Sequence, residues 1–155
     1  MGIKENKKVK NATEVEDFGI KFRSKFERDV YKAFLKAGYK PEYEKYTFVL
    51  LESFRPKDVW YMDGEPQTIK SGASALQESW KYTPDFSLQI GDMSVYIEAK
   101  GKPNDVYPYK RKMFLHQLQK YSNVIFIEVH KLSKMKKIIA LLDLIKEGRK
   151  NNENI

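Results

Sequence analysis

One stretch of alternating residues near the middle of the chain restricts its fold more than any other part of the sequence. Apolar and polar residues alternate over Tyr82–Ile90, Gly91-Asp92 follows, and the alternation resumes over Ser94–Lys100. Such alternation is typical of a strand with one buried face, and Gly-Asp favours a tight turn whose first position needs a positive φ. The pattern predicts a β-hairpin. Its core-facing apolar set consists of Val95, Ile97 and Ala99.

The same hairpin is expected to bring two acids together. A turn centred on Gly91-Asp92 sets position 85 opposite position 98, so Asp85 and Glu98 become cross-strand neighbours. Lys100 shares the face of Glu98, because side chains two apart in a strand point the same way. Opposed carboxylates repel each other, and a bound Mg²⁺ or Mn²⁺, which prefers oxygen ligands, would relieve the repulsion. On these residues alone, a surface hairpin with a Glu-Lys pair is the simpler interpretation.

The rest of the chain predicts helices around further strands. Apolar residues at helical spacing predict a helix over Ser24–Ala37, and an aromatic and branched run predicts a strand over Glu42–Leu51. After the hairpin, the pattern predicts a helix over 106–121, a buried strand over Asn123–Val129 and an amphipathic helix over 132–147. Strands framed by helices predict an α/β fold, with a central mixed sheet flanked by helices, in a single domain over residues 18–150.

Three segments fall outside this regular pattern. Residues 1–17 lack apolar periodicity and are expected to form a flexible basic arm, and residues 151–155 are expected to form a polar tail. Residues 52–81 contain two prolines and two glycines, with a short strand expected only at Val59–Met62. About thirty residues with so little structure are long for a compact domain, so this insertion is expected to be functional or partly disordered.

The charge distribution favours a polyanionic partner. The formal net charge is +8. Residues 52–98 carry four basic and eight acidic side chains, whereas residues 99–121 carry six basic and one acidic, and residues 131–150 carry seven and two. An acidic centre that binds cations beside basic surfaces that hold phosphates suits a metal-dependent nuclease, although solvated helix faces explain the charges equally well.

Composition also excludes several classes of protein. The chain has no cysteine, which excludes disulfides, thiolate catalysis and cysteine-bound zinc. Neither a secretory signal nor an apolar spanning segment is visible, so a cytoplasmic protein without membrane contact is expected.

The motifs around the hairpin resemble those of the PD-(D/E)XK nuclease superfamily. Thr83-Pro84-Asp85-Phe86 stands in its first strand and Glu98-Ala99-Lys100-Gly101 ends its second. Ser24-Lys25-Phe26-Glu27 opens the first helix, Pro41-Glu42-Tyr43-Glu44 opens the next strand, and Lys110-Arg111-Lys112 lies in the helix after the hairpin. In this order, over roughly residues 20–130, they are similar to phage endonuclease I type Holliday-junction resolvases and related small phage nucleases.

The resemblance implies a restriction-endonuclease-like αβββαβ core and a metal-dependent endodeoxyribonuclease that acts on branched DNA. It implies that Asp85, Glu98 and the backbone carbonyl of Ala99 bind Mg²⁺ or Mn²⁺, and that Lys100 assists catalysis.

The resemblance also points to two further acids. It implies a catalytic and metal-binding role for Glu27 and a weaker one for Glu42. Both residues have simpler explanations. Ser24-x-x-Glu27 is a helix capping box, and Glu42 fits a solvated residue at the start of a strand.

DNA is the expected partner. The predicted DNA-binding residues are Lys102, Lys110, Arg111 and Lys112. A junction resolvase makes two symmetric cuts, so the resemblance also implies a homodimer, in the cytoplasm of a phage-infected or bacterial cell. The insertion at 52–81 departs from the resolvase pattern and leaves the substrate open. The alternatives are a restriction or DNA-end-processing nuclease of the same superfamily, or a catalytically silent nucleic-acid-binding module.

Overall fold

A computed structural model of the chain describes residues 13–57, 60–62, 69–71, 76–101 and 104–153. These residues form a mixed α/β fold of three α-helices and ten short strands. The helices are α1 (Lys25–Lys36), α2 (Tyr107–Leu118) and α3 (Met135–Glu153). The strands are β1 (Val15–Asp17), β2 (Ile20–Phe22), β3 (Glu42–Tyr43), β4 (Phe48–Leu51), β5 (Trp60–Met62), β6 (Ile69–Ser71), β7 (Trp80–Tyr82), β8 (Phe86–Ile90), β9 (Met93–Ala99) and β10 (Val124–Val129).

A four-stranded mixed sheet, in the order β10-β9-β8-β3, forms the centre of the fold. β9 is parallel to β10 and antiparallel to β8, and β8 is antiparallel to β3. In the β8–β9 hairpin, Phe86 pairs with Ile97 and Ile90 pairs with Met93, while Gly91 makes the turn at a φ of 57°. The predicted hairpin, its turn and its register are confirmed, as is a mixed α/β fold with a central mixed sheet.

Helices cover both faces of this sheet. The core under α1 and α3 is aliphatic and aromatic, and its fully buried members are Phe22, Val30, Phe34, Phe86, Val95, Ile97, Val129 and Leu142. The core under α2 is smaller and mostly aromatic, and its buried members are Tyr82, Tyr107, Phe114 and Leu118. Because side chains alternate along β9, Ile97 faces the first core while Tyr96 and Glu98 face the second. The face that carries Glu98 is therefore covered as well.

α1 begins and ends close to the predicted positions. The Ser24 Oγ accepts a hydrogen bond from the Glu27 N–H at 3.2 Å, which caps the helix. Gly38, at a φ of 82°, adopts the left-handed conformation that ends many helices. The Tyr39 hydroxyl then donates to Asp143 Oδ1 at 2.6 Å and ties the end of α1 to α3.

Two of the predicted strands are interrupted. The predicted strand Glu42–Leu51 splits into β3 and β4, and the predicted strand Tyr82–Ile90 splits between the end of β7 and β8. Glu44 lies in the first break at a φ of 45°, and Pro84, which has no N–H for a sheet ladder, lies in the second. Because of these breaks, β3 pairs with β8 in the central sheet while β4 pairs with β7.

The predicted insertion at 52–81 contains β-structure. An isolated bridge joins Phe54 to Gln77, and β5 pairs with β6, with Trp60 opposite Ser71. These pairs share the register in which Leu51 of β4 meets Trp80 of β7, so the described parts follow one antiparallel ladder register, divided between the two-stranded sheets β4–β7 and β5–β6. The predicted short strand is confirmed for Trp60–Met62, whereas the expectation of a loop is wrong for the other paired residues. Prolines and glycines interrupt residues 52–81 and their apolar residues do not alternate regularly, which is why the sequence pattern gave no signal.

The chain ends differ in part from expectation. A 3-10 turn at Leu132–Lys134 precedes α3, which continues to Glu153, into the predicted tail. Of the predicted arm at 1–17, residues 1–12 lie outside the described residues, and Val15–Asp17 form β1, which pairs with β2. No helix in the described ranges is long and apolar enough to cross a membrane.

Candidate metal site

Asp85 immediately precedes β8, and Glu98 lies near the end of β9. The Phe86–Ile97 pair sets position 85 opposite position 98, as the turn predicts. Across this gap the Ala99 N–H donates a hydrogen bond to Asp85 Oδ2 at 2.7 Å. The N–H and C=O of one strand residue project from the same edge of the strand, so the Ala99 carbonyl also faces the side of Asp85. Two carboxylates and one carbonyl oxygen thus border the same gap.

Glu98 is the most buried acid of this site, at 3% exposure. Its two carboxylate oxygens have different partners. The Tyr82 hydroxyl donates to Oε2 at 2.7 Å, and the Lys100 ammonium donates to Oε1 at 3.1 Å. The Lys100 Nζ also lies 4.5 Å from the centre of the Tyr107 ring. A charge pair and an aromatic face therefore hold the lysine beside the carboxylates.

The pKa values of both carboxyl groups are raised. Burial raises the pKa of Asp85 well above its ordinary value, and the negative charges of Glu98 and Glu27 raise it further. Burial also raises the pKa of Glu98, against the charge of Lys100 and the hydrogen bonds that Glu98 accepts. Raised carboxyl pKa values mean that the folded state disfavours the negative charge of each group, mainly because the groups are buried. A cation between the carboxylates would lower both pKa values again.

Glu128 of β10 lies beside the site on the same face and pairs in register with Glu98. It accepts hydrogen bonds from the Tyr107 hydroxyl at 2.6 Å and from Arg111 Nε at 2.7 Å. Burial acts to raise the pKa of Glu128, but the two hydrogen bonds outweigh it, and the pKa is lowered. Glu128 is therefore a stabilised anion, whereas the pKa of Glu98 is raised one strand away.

Glu27, the third acid that the resemblance implies, is buried near the site. Its carboxylate accepts hydrogen bonds from the Tyr43 hydroxyl at 2.7 Å, the Ser24 hydroxyl at 2.8 Å and the Arg23 N–H at 3.1 Å. Its charge is close enough to raise the pKa of Asp85. The structure thus brings Glu27 within electrostatic reach of the site, while its oxygens serve the capping box and a tyrosine.

Glu44, rather than Glu42, lies near the other acids. Glu42 is exposed and forms an ion pair with Lys45. Glu44 is partly buried, its N–H donates to the Asp85 carbonyl at 2.9 Å, and its carboxylate pairs with Arg23 at 2.8 Å. Burial raises the pKa of Glu44 despite that pair, and the neighbouring acids of the site raise it further. Sequence analysis missed Glu44 because its positive φ turns the chain out of the strand pattern.

The predicted DNA-binding residues have different surroundings. Arg111 is paired with Glu128, Lys110 is half-buried and Lys112 is exposed. Lys102 lies outside the described residues. Successive helix residues point about 100° apart, so Lys110, Arg111 and Lys112 face three directions rather than one DNA backbone.

The oxygen donors suit a hard divalent cation. Asp85, Glu98 and the Ala99 carbonyl are the ligand types that Mg²⁺ and Mn²⁺ prefer, and such an ion would offset the burial, and for Asp85 the charge of Glu98, that raise the two carboxyl pKa values. In the described part of the chain, no three His, Asp or Glu side chains form a complete metal site. Glu27 and Glu98 each accept a hydrogen bond from a tyrosine hydroxyl, so a protein donor occupies one oxygen of each carboxylate. The protein thus offers a partial set of ligands, which Mg²⁺ commonly completes with water.

Tyr82 is a site residue to which the sequence pattern assigns no role, although it directly precedes the motif Thr83-Pro84-Asp85-Phe86. Replacing Tyr82 with phenylalanine is expected to destabilise the fold by about 1–2 kcal/mol, because buried Glu98 loses a hydrogen-bond donor. Urea unfolding measures the change. Tyr109→Phe, at a side chain 65% exposed, is the control and should have no effect. Equal stabilities of the two variants would contradict this role for Tyr82.

No protein-family model, curated protein or solved structure matches this chain. Its function is therefore inferred from the residues of the site and from the resemblance of its motifs.

Proposed function

We propose that this protein is a metal-dependent endodeoxyribonuclease that hydrolyses phosphodiester bonds, with branched DNA as its substrate. The observation that carries this proposal is the cross-strand pair Asp85 and Glu98, which have raised carboxyl pKa values and lie beside Lys100. Opposed buried carboxylates destabilise a fold, and such groups cluster where proteins bind ions or perform chemistry. Neighbouring Glu128 differs, because its hydrogen bonds to Arg111 and Tyr107 lower its pKa.

The residues have distinct roles under this proposal. Asp85, Glu98 and the Ala99 carbonyl would hold Mg²⁺ or Mn²⁺, which supplies an activated water and neutralises charge at the phosphate. Lys100 presents its ammonium to a phosphate oxygen or to water, and the Tyr107 ring keeps it beside the carboxylates. Tyr82 orients Glu98.

The chain order supports a restriction-endonuclease-like core. α1, β3, β8, β9, α2 and β10 follow one another as αβββαβ, apart from the ladder inserted between β3 and β8. The basic residues after β9 support a nucleic-acid substrate. A restriction or DNA-end-processing nuclease would share this site and differ in the DNA that it cuts.

The ion pair between Lys100 and Glu98 favours one alternative of another class, a catalytically silent nucleic-acid-binding module. In that case the lysine would neutralise Glu98 permanently and no metal would enter.

Cleavage assays separate these functions. The protein is incubated with four-way, forked, nicked and plain duplex DNA in Mg²⁺, Mn²⁺ or EDTA. We expect cutting in Mg²⁺ that favours the branched substrates, none in EDTA, and none by Lys100→Ala. Preference for plain duplex or for free ends would instead indicate a restriction or end-processing nuclease. Salt-sensitive binding without cleavage in either metal would refute the enzyme and support the silent module.

A further inference from the structure

An open cleft of about 450 Å³ lies beside the start of β9, on the face of the sheet that α2 covers. Its walls come from β4, the first half of β9, the end of α2 and the turn that leads into β10. None of these residues belongs to the candidate metal site. Clefts of this size commonly hold one small molecule or one unit of a larger ligand.

Aromatic rings line part of the cleft. The ring centre of Tyr96 lies 5.1 Å from that of Phe48 and 6.1 Å from that of Tyr46, both edge to face. Burial raises the pKa of Tyr96, and the neighbouring phenols of Tyr46 and Tyr121 raise it further, although a hydrogen bond with Ser94 acts the other way. Tyr121 is therefore close to this cluster, and it lines the same cleft as Tyr96.

The ring of Tyr121 is available to a ligand. It is 63% exposed, and it makes no ring contact in the described part of the chain. A tyrosine ring stacks readily on another flat π-system, and every nucleobase has such a face. The cleft therefore presents one exposed ring and one partly buried ring to a planar group.

The remaining groups of the cleft are suited to an anionic, polar ligand. Lys120 lines the cleft and is exposed, and no carboxylate pairs with it among residues that the structure describes. No aspartate or glutamate lines the cleft, whereas Ser122 and Asn123 supply hydrogen-bonding groups. A cation beside exposed aromatic rings is the combination that holds the phosphates and bases of single-stranded nucleic acid.

The cleft adjoins the candidate metal site. Tyr96 precedes Glu98 by two residues in β9, so both side chains lie on the same face, about 7 Å apart along the strand. Tyr46, which contacts Tyr96, follows Glu44 by two residues, and the Glu44 N–H donates to the Asp85 carbonyl. A base in the cleft and a phosphate at the acids would therefore belong to the same stretch of DNA.

We propose that this cleft binds an unpaired nucleotide of the DNA substrate, with its base on Tyr121 and Tyr96 and its phosphate at Lys120. The inference rests on the proposed nuclease function, because that function makes DNA the ligand. Bases inside a duplex are stacked on both sides and do not reach such a cleft, whereas a fork offers bases that are already released. Among branched substrates, the protein therefore favours forks over fully paired four-way junctions.

Binding to forked DNA and to plain duplex of the same length, measured by fluorescence anisotropy in EDTA, tests the cleft. Tyr121→Ala should weaken binding to the fork by about tenfold and leave binding to the duplex unchanged. Tyr121→Phe keeps the ring and should bind both as wild type does. Tyr109→Ala removes a ring of matched exposure, 65%, from the same helix region and should change neither. Because Tyr121 is exposed, the Tm of each variant should stay that of wild type.

Forks that each lack one unpaired base test whether the ring and the base contact each other. At one position, loss of the base should weaken binding of wild type by about tenfold and binding of Tyr121→Ala not at all, since the contact is already gone. The cleft is refuted if Tyr121→Ala binds the fork as tightly as wild type does, or loses affinity equally for fork and duplex. It is also refuted if every missing base affects both proteins alike.

These measurements are independent of cleavage, because no metal is present. A protein that binds as expected but cuts no DNA in Mg²⁺ would lose the proposed nuclease activity and keep the cleft. A protein that cuts DNA without any role for Tyr121 would keep the activity and lose the cleft.

Discussion

Glu98→Gln is expected to abolish Mg²⁺-dependent DNA cleavage while the protein folds as before. Glutamine keeps the volume of the side chain and an oxygen that accepts the Tyr82 hydrogen bond, but it removes the charge that a cation and Lys100 require. We expect the cleavage rate to fall by about 1000-fold or more, measured in single-turnover assays on labelled branched DNA. Salt-dependent DNA binding should persist, because phosphate contacts come from other residues.

Glu128→Gln is the matched control for this substitution. Glu128 lies in register with Glu98 on the next strand, and it also accepts hydrogen bonds from a tyrosine and a cationic side chain. Its replacement removes a charge of the same sign from the same face, so the cleavage rate should fall by no more than about tenfold. Wild-type cleavage by Glu98→Gln, or equal losses in both variants, would contradict the assignment of Glu98 to the metal.

The hairpin that carries the site was predictable because its signals are local. Gly91-Asp92 sets the turn, the turn sets the register, and the register places Asp85 opposite Glu98 before any tertiary contact is known. The limits of α1 were predictable for the same reason, since Ser24 and Gly38 act on the backbone next to them.

The surroundings of the site depend on contacts that are distant in sequence. Alternation in β9 separates Glu98 from Ile97, but it does not reveal that Tyr82 and Tyr107 cover the face of Glu98 and donate hydrogen bonds there. Glu44 lies near the other acids of the site because its positive φ breaks the predicted strand. No pattern in the sequence indicates that break. The pairing of β4 with β7 was equally hidden, because Phe48 and Tyr82 meet against Phe114 of α2, which is distant in sequence.

Asp85→Asn is expected to make the metal-free protein more stable and at the same time inactive. Asparagine keeps an oxygen that accepts the Ala99 N–H, but it removes one of the two opposed charges. We expect the Tm in EDTA at neutral pH to rise by roughly 3–6 °C, measured by calorimetry, and cleavage to fall by about 1000-fold. Asp92→Asn, in the exposed turn and paired with Arg149, is the control and should not stabilise the fold.

This gain in stability should depend on pH. The folded-state pKa of Asp85 is raised above its ordinary value of 3.8, so the folded protein favours the neutral carboxyl. The contribution of Asp85 to the stability of wild type is therefore fully present below about pH 4 and is lost as the pH rises through the folded-state pKa, whereas the variant has no such loss at this position. The difference in Tm should vanish in acid and grow towards neutral pH, and Mg²⁺ should raise the Tm of wild type alone. If the difference in Tm does not change with pH, the two carboxylates do not repel each other. The argument for a cation between them would then fail.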